Sequence, residues 1–456
     1  MGVAGAIILA AGDGKRMKSL NPKPMLEVLF KPMAVWVTDA ARQAGIENLC
    51  IVCPPNDKMQ DYFAQTCEIA VQREKLGTGH AVMQARAFIE KHIGGEIVVL
   101  NGDAPFCEGD TIRAACDFHV QNKNDVTVIT ARVGNPFGYG RIVRSENGLE
   151  RIVEQKEADA ATAQINEINS GAYVFNAQSL LTALDRLTNK NTAGEYYLTD
   201  TISLIKASGG RADAFDAQDE SIVLGANDPV QLYELNRCAN KKSVRAQMEK
   251  GVRFVSLDGI VIAADAQIGA DTTILPGTII KPGCVIGSGC VIGPNSLLEK
   301  CRIGSGSVIN ASQVCNSRVG DNVKIGPFTQ LRAGCDIKDN AKIGDFVEVK
   351  NSVIGEKTSV AHLTYIGDSD VGGGVNFGCG VVTVNYDGKN KYRTTIGNNA
   401  FVGCNANLIA PVTVGDGAYI AAGSTITDNV ENGDMAIARA RQVNKKGYAA
   451  GRYNKK

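Results

Sequence analysis

The second half of the chain keeps a six-residue beat that few folds tolerate. Ile262, Ile268, Ile274, Ile280, Ile286, Ile292 and Leu298 stand on one strict register. The beat returns at Val319, Ile325, Leu331, Ile337, Ile343 and Val349, and again at Ile354, Val360 and Ile366. A last run holds Ile396, Val402, Leu408, Val414, Ile420 and Ile426. An α-helix has no period of six, and an ordinary half-buried strand alternates every two residues, so neither gives a repeat of one large apolar residue in six. Three hexads close one triangular coil of a parallel β-helix, each large apolar side chain turned inward. Slips of five residues mark retuned corners. Coils rise by the strand spacing, about 4.8 Å, and build a stiff prism whose flat faces invite threefold self-association.

The first 227 residues obey other rules. The runs "AIILA", "LCIVC", "EIVVL" and "DVTVIT" alternate with helical stretches such as 34–44 and 79–91. That alternation predicts a Rossmann-like α/β domain: a mainly parallel sheet, helices on both faces, and ligands bound past the carboxyl ends of the strands. At Asp228 the texture changes. Asp228 suits an N-cap, Pro229 the first helical position, and Gln231 completes a capping box. The segment runs to Gly251 without a breaker, roughly 30 Å of helix at about 1.5 Å per residue. It reads as an arm joining two domains, with a helix packed on the first domain as the alternative. The expected division is 1–227, a linker helix 228–250, and a β-helix with its tail over 251–456.

A chain of 456 residues exceeds one ordinary core. Formal net charge is zero, and the short tail 451–456 is the nearest thing to a basic block. That balance argues against a nucleic-acid or membrane surface and for a small-molecule substrate. The opening apolar run is too short for a signal peptide and enters a Gly-rich turn, so it reads as a first strand. Thirteen Cys are scattered, and the C-x-x-C of Cys50 and Cys53 lies inside an apolar run, where buried packing is the better reading. The expectation is a reduced, cytoplasmic protein.

The first strand leads into "LAAGDGKRMKSLNPKPM", which is neither a Walker loop nor a dinucleotide fingerprint. A strand followed by Gly12, Gly14, Lys15 and Arg16 still has the physics of a phosphate cradle. Backbone N–H groups can approach an anion, and cations follow at once, with Lys23 adding another. Asp103 follows the strand "EIVVL", where a carboxylate can hold Mg²⁺ at the mouth of the sheet. A plain cap residue is the bland reading. Among four His, His80, His92 and His119 have structural readings. His362, in "VAHLTYIGD", sits two residues past an inward position. Its imidazole, with an ordinary pKa near 6.5, can take a proton from an amine attacking a thioester. The polar stretch "VNYDGKNKYR" (384–393) is the longest interruption of the later repeat.

The pattern L-x-A-G-x-G-x-R-M followed by P-K resembles the signature of the sugar-1-phosphate nucleotidyltransferases. "QREKLGTGHA", "LNGDAPF", "GYGRIV", "IVEQK", "EINSGAYVF", "GEYYLTD" and "GAND" follow in order. Joined to a hexad domain, the chain resembles along nearly its whole length the bacterial bifunctional N-acetylglucosamine-1-phosphate uridylyltransferases and glucosamine-1-phosphate acetyltransferases. The resemblance implies a left-handed β-helix, acetyl-CoA and UTP as co-substrates, Mg²⁺, a homotrimer, and synthesis of UDP-N-acetylglucosamine for peptidoglycan and lipopolysaccharide precursors. It places Leu9, Ala10, Ala11, Gly12, Arg16 and Lys23 on the nucleotide and its phosphates, and Gln72, Gly77 and Thr78 around the uracil. Gly140, Glu154 and Asn169 grip the sugar, and Asn227 joins Asp103 on the metal. In the second domain it makes His362 the base, and Arg332, Lys350, Tyr365, Asn376 and Lys391 the site for glucosamine 1-phosphate. Asn385 and Tyr386 contact the substrate or acetyl group, and a backbone N–H near Cys379 stabilises the oxyanion. Acetyl-CoA lies near Cys404, Ala422 and Arg439. The chain departs from the pattern with Asn101 for Tyr, Cys379 for Ala, Cys404 for Ser and Tyr448 for Trp. Direct attack by the amine needs no Cys404 nucleophile. A single-activity nucleotidyltransferase with a structural or regulatory β-helix is the alternative reading.

Overall fold

The computed structural model describes residues 3–12, 14–145, 148–450 and Arg452. The Lys15 side chain of the expected cradle and most of the basic tail lie outside the described residues. The chain divides into two compact units, Met1–Ala239 and Asn240–Lys456.

In the first unit, the strand Val3–Leu9 lies parallel between Leu49–Cys53 and Glu96–Asn101. Their carboxyl ends come level, since Leu9 pairs with both Val52 and Asn101. Side chains alternate across a strand, so Ile7, Cys50 and Val99 face one apolar cluster while Ile8, Ile51 and Leu100 face another on the opposite side. The sheet is not parallel throughout. Glu167–Asn176 runs antiparallel to both Glu96–Asn101 and Val126–Arg132, with a register shift between Asn169 and Ala172. The helical stretch expected over 79–91 is two helices, Thr78–Gln84 and Arg86–Lys91, broken at Ala85 (φ −90°, ψ 13°). Cys50 and Cys53 are buried in their strand, and burial pushes their thiols up to about 12 and about 11.

The helix Pro229–Glu249 contributes to both units. Asp228 Oδ1 accepts from Gln231 N at 2.9 Å, and Gln231 Oε1 accepts in return from Asn227 N at 2.7 Å. The reciprocal pair thus closes on Asn227, one residue earlier than a standard capping box, and fixes that residue's backbone. Further along, Asn240 donates to Ile260 O (2.7 Å) and accepts from Ile262 N (3.0 Å), while Gln247 donates to Ala266 O (3.0 Å). Val244 joins the apolar core of the second unit. The later part of this segment is therefore packed on the first coils rather than standing free as an arm.

The second unit is a left-handed β-helix of three parallel sheets, through which the chain passes in strict rotation. Ile262 pairs with Ile280, and Ile280 with Leu298, so one coil takes three hexads. The slips do not interrupt the inward line. Ile303, Ile309 and Val314 are buried between Leu298 and Val319, each spacing of five trimming a corner while the strands stay paired. Each fully buried Ile contributes about 1.5–3 kcal/mol. Ile343→Ala, at a fully buried position, lowers stability by about 2–5 kcal/mol, read as a lower urea midpoint for the second unit.

Candidate active sites

Two adjoining cavities open at the carboxyl ends of the parallel strands. One, of about 420 Å³, is walled by Leu9, Ala10, Ala11 and Gly12, with Lys23, Gln72, Gly77 and Thr78 opposite. The other, of about 570 Å³, holds Arg16, Gly140, Glu154, Asn169 and Asn227. Leu9, Thr78, Asn101 and Asp103 line both. The tertiary fold thus brings together every first-domain residue that the resemblance singled out.

Three of them meet at one atom. Lys23 Nζ bonds Asn227 Oδ1 at 2.7 Å and pairs with the Asp103 carboxylate. The Lys23 side chain is 10% exposed and Asp103 32%, so this cation is largely withdrawn from water. Hydrogen bonds fix the flanks. Gln72, buried, donates to Gly77 O at 3.2 Å and lies 3.2 Å from His80 Nδ1. Gly77 has φ +102°, and a Cβ there would come within 2.6 Å of Tyr196 O, so only glycine fits this turn. Thr78 Oγ1 accepts from Leu198 N at 3.2 Å.

In the larger cavity, Asn169 donates to the Tyr173 hydroxyl (2.7 Å) and accepts from Gly171 N (2.9 Å). Burial, followed by the charge of Glu157, pushes the Glu154 carboxyl above its usual range. Gln155 was missed in the sequence. Its Oε1 accepts from Gly138 N (2.8 Å) and from the buried Arg141 (2.7 Å), which stiffens the turn carrying Gly140. Its place inside "IVEQK" was the available signal, but a Gln among charges is otherwise unremarkable. His119 is buried between Thr127 and Glu96, a structural position.

The second unit has its own cluster. Its strands Ser359–His362 and Tyr365–Gly367 flank one corner of the prism. Up that corner the chain stacks Leu363, Cys379, Cys404 and Ala422. Gly380 N bonds Leu363 O (3.0 Å), Asn405 N bonds Cys379 O (2.8 Å) and Gly423 N bonds Cys404 O (2.7 Å). Arg439 continues the stack, its Cδ 3.8 Å from where a Cβ on Gly423 would lie. Cys404 is exposed.

At the far edge of the adjoining face, Arg332 follows one strand of a sheet, Gln330–Leu331, and Lys350 ends the next, Glu348–Lys350. Lys391 approaches Lys350 closely enough to hold that amine below its usual range. Glu348 bonds Arg332 at 3.0 Å, while the Asp368 carboxylate acts on both lysines without cancelling their mutual repulsion. The stretch 385–393 is a small hairpin. Tyr386 pairs with Lys391, and Asp387 accepts from the N–H groups of Lys389 (2.7 Å) and Asn390 (2.6 Å). Its base is tied down by Asn385, 8% exposed, which donates to the Asp368 carboxylate. Asn376 lies opposite Ser359 on the strand paired with that of His362, and Tyr365 begins the strand that follows His362 on the adjoining sheet.

His362 Nδ1 lies 2.7 Å from Asp345 Oδ1. Sequence reading missed Asp345, because an Asp beside a Gly at a prism corner looks like an ordinary turn residue.

A nucleotidyl transferase family model matches residues 5–228, and a bacterial transferase hexapeptide model matches 265–300, 316–351 and 393–428. The bifunctional protein GlmU of Clostridium novyi is 46% identical over 448 residues, 98% of either chain. That of Acetivibrio thermocellus is 46% identical over 96% of this chain and 95% of its own. The Caldanaerobacter subterraneus protein is 46% identical over 99% and 98%. Sites on both units, a nucleotidyl transferase match before Asp228 and hexapeptide matches after it agree with this end-to-end likeness, and the chain belongs to the family of bifunctional GlmU proteins.

Proposed function

We propose that the chain makes UDP-N-acetylglucosamine in two steps on two sites, acetyl transfer in 251–456 and uridylyl transfer in 1–227. The carrying observation is on the β-helix. His362 shares a corner with Cys379 and Cys404, across one face from Arg332, Lys350 and Lys391. A purely structural prism needs neither group.

In the first step the cations hold the phosphate of glucosamine 1-phosphate, and Tyr365, Asn376 and Asn385 meet its polar groups. The amine attacks the thioester carbon of acetyl-CoA while His362 Nε2 takes the amine proton. The C–S bond then breaks, the thiolate leaves with that proton, and the backbone N–H near Cys379 stabilises the oxyanion.

In the second step the sugar phosphate oxygen attacks the α-phosphorus of UTP and pyrophosphate leaves, a reaction governed by positioning and charge neutralisation. Gln72 reads the uracil edge, Glu154 and Asn169 accept from and donate to the N-acetyl sugar, and Arg16 and Lys23 neutralise the phosphates. A carboxylate oxygen of Asp103 and the amide oxygen of Asn227 already converge on one cation, Lys23 Nζ. Such hard oxygen donors, few in number, suit Mg²⁺. Held by Asp103 and Asn227, Mg²⁺ would supply charge neutralisation on the triphosphate.

Phe328 and Phe346 stack at 5.3 Å, and with Leu363 they form an apolar ridge beside His362, each more than half exposed with φ positive. A bulky side chain held in that conformation is a local cost that a covering surface offsets. We assign that cover to further copies of the chain in a homotrimer, checked by sedimentation equilibrium. Among the described residues no helix is long and apolar enough to cross a membrane, and we place the enzyme in the cytoplasm with its substrates.

One assay with two readouts tests the function. A single preparation releases CoA from acetyl-CoA and glucosamine 1-phosphate, and pyrophosphate from UTP and N-acetylglucosamine 1-phosphate. Chelation with EDTA stops the second readout and leaves the first. A preparation that never consumes acetyl-CoA would reduce the β-helix to a scaffold.

A further inference from the structure

The coils beneath His362 are built differently from their neighbours. Strands of this sheet are commonly two residues long, as at Lys324–Ile325 and Asn376–Phe377. In two successive coils they lengthen to four, Lys342–Asp345 and Ser359–His362, and the added register pair is Asp345 with His362. Gly344 permits the approach. A Cβ on it would lie 1.9 Å from Ala361 O, so any side chain here would drive the two coils apart. Thr364 Oγ1 donates to His362 O at 2.7 Å and holds the backbone carrying the ring.

We propose that Asp345 is the positioning residue of His362: its carboxylate takes the Nδ1–H, so the neutral ring presents Nε2 as the base. This rests on the reading of His362 as the base of acetyl transfer. The tautomer of an imidazole is set by the bond that its other nitrogen makes. A solvated histidine favours the proton on Nε2, the wrong nitrogen for a base that must act there. The 2.7 Å contact from Nδ1 to Asp345 Oδ1 reverses that preference. No hydrogen bond reaches Nε2 among the described residues, and the side chain is 57% exposed, open to a substrate. The same hydrogen bond holds the Asp345 carboxyl below its usual range, so it stays ionised and acceptor-only. The pair is exposed enough for solvent to screen its Coulomb attraction, so the larger effect is on tautomer and ring orientation. When Nε2 gains the amine proton, Asp345 keeps Nδ1–H and no second proton moves.

The test uses the full-length chain with ¹⁵N-labelled histidine, His362 being assigned from the His362→Asn spectrum. Wild type shows His362 protonated on Nδ1. Asp345→Ala shifts it toward the Nε2–H form and lowers kcat for CoA release by about 10²-fold, with KM for the sugar within twofold. Asp345→Asn, whose amide oxygen still accepts from Nδ1–H, restores the tautomer and most of the rate. Thermal midpoints matching wild type separate these effects from unfolding, and Asp345→Asn carries the comparison if the Ala variant melts early. An Asp345→Ala protein that keeps its tautomer, or its kcat within threefold, overturns the positioning role while His362→Ala remains inactive. CoA release persisting in His362→Ala would overturn the base reading, and the proposal with it.

Discussion

A chain whose residues 385–393 are replaced by a plain hexad turn releases no CoA from acetyl-CoA, yet releases pyrophosphate from UTP at the wild-type rate. The hairpin is not needed to close the core. Val371 pairs with Ile396, and Thr383 with Leu408, so the coils stack whether the excursion is long or short. Thr383 is a buried polar residue on the inward line, satisfied because its hydroxyl accepts from Gly367 N at 2.8 Å. What the excision removes is chemical: Lys391 from the proposed phosphate site, and Asn385 and Tyr386 from the proposed substrate wall. His362→Ala has the same signature with the loop intact. Loss of a positioned base lowers CoA release by about 10²–10⁴-fold and leaves pyrophosphate release unchanged. Coupled assays for free CoA and pyrophosphate on both variants check the result. A loop-deleted chain that still acetylates would move the acceptor site elsewhere.

Asp103→Ala gives the mirror image. Pyrophosphate release falls by at least about 10²-fold, the loss typical when one preorganised charge-stabilising group is removed, and CoA release persists. The expected size reflects how much converges on this carboxylate. It lines both cavities and pairs with Lys23, which also holds Asn227. Its removal leaves a largely buried ammonium with a neutral amide as its remaining partner at this point, which misplaces the cation proposed to meet the phosphates. Asp103→Asn keeps the shape and loses the charge, so it falls nearly as far. Rates across a Mg²⁺ titration check this: wild type saturates at lower metal than Asp103→Asn. Equal metal dependence in the two proteins would remove Asp103 from the metal site.

Both predictions rest on residues that were legible in different degrees. Asp103 and Lys23 were readable because each follows a strand end or a Gly-rich turn, where an α/β sheet binds ligands. His362 was readable as the one histidine in the repeat, and the hairpin as a gap in the rhythm. Gln155, Arg141 and Asp345 were not. Each acts through a hydrogen bond to a residue well removed in sequence; the motifs that hold Gln155 and Arg141 do not show which of their polar residues makes it, and nothing around Asp345 marks it. The break between the helices at Ala85 was hidden for a related reason, since the apolar pattern runs on across it while the backbone turns.

The sequence by itself determined the two architectures and the inward line of the β-helix. Whether a side chain faces core or solvent is a local property, repeated every sixth residue or alternating along a strand. Tertiary structure alone decided which residues stand above one another. Register in a prism accumulates coil by coil, and each slip of five shifts every partner that follows. Asp345 thus meets His362 seventeen residues on, and Cys379, Cys404 and Ala422 climb the corner above His362. Lys23 meets Asn227 across 204 residues of chain because two strand ends and a helix cap close on the same cavity. Local patterning sets the core; the sum of all the loop lengths sets the sites.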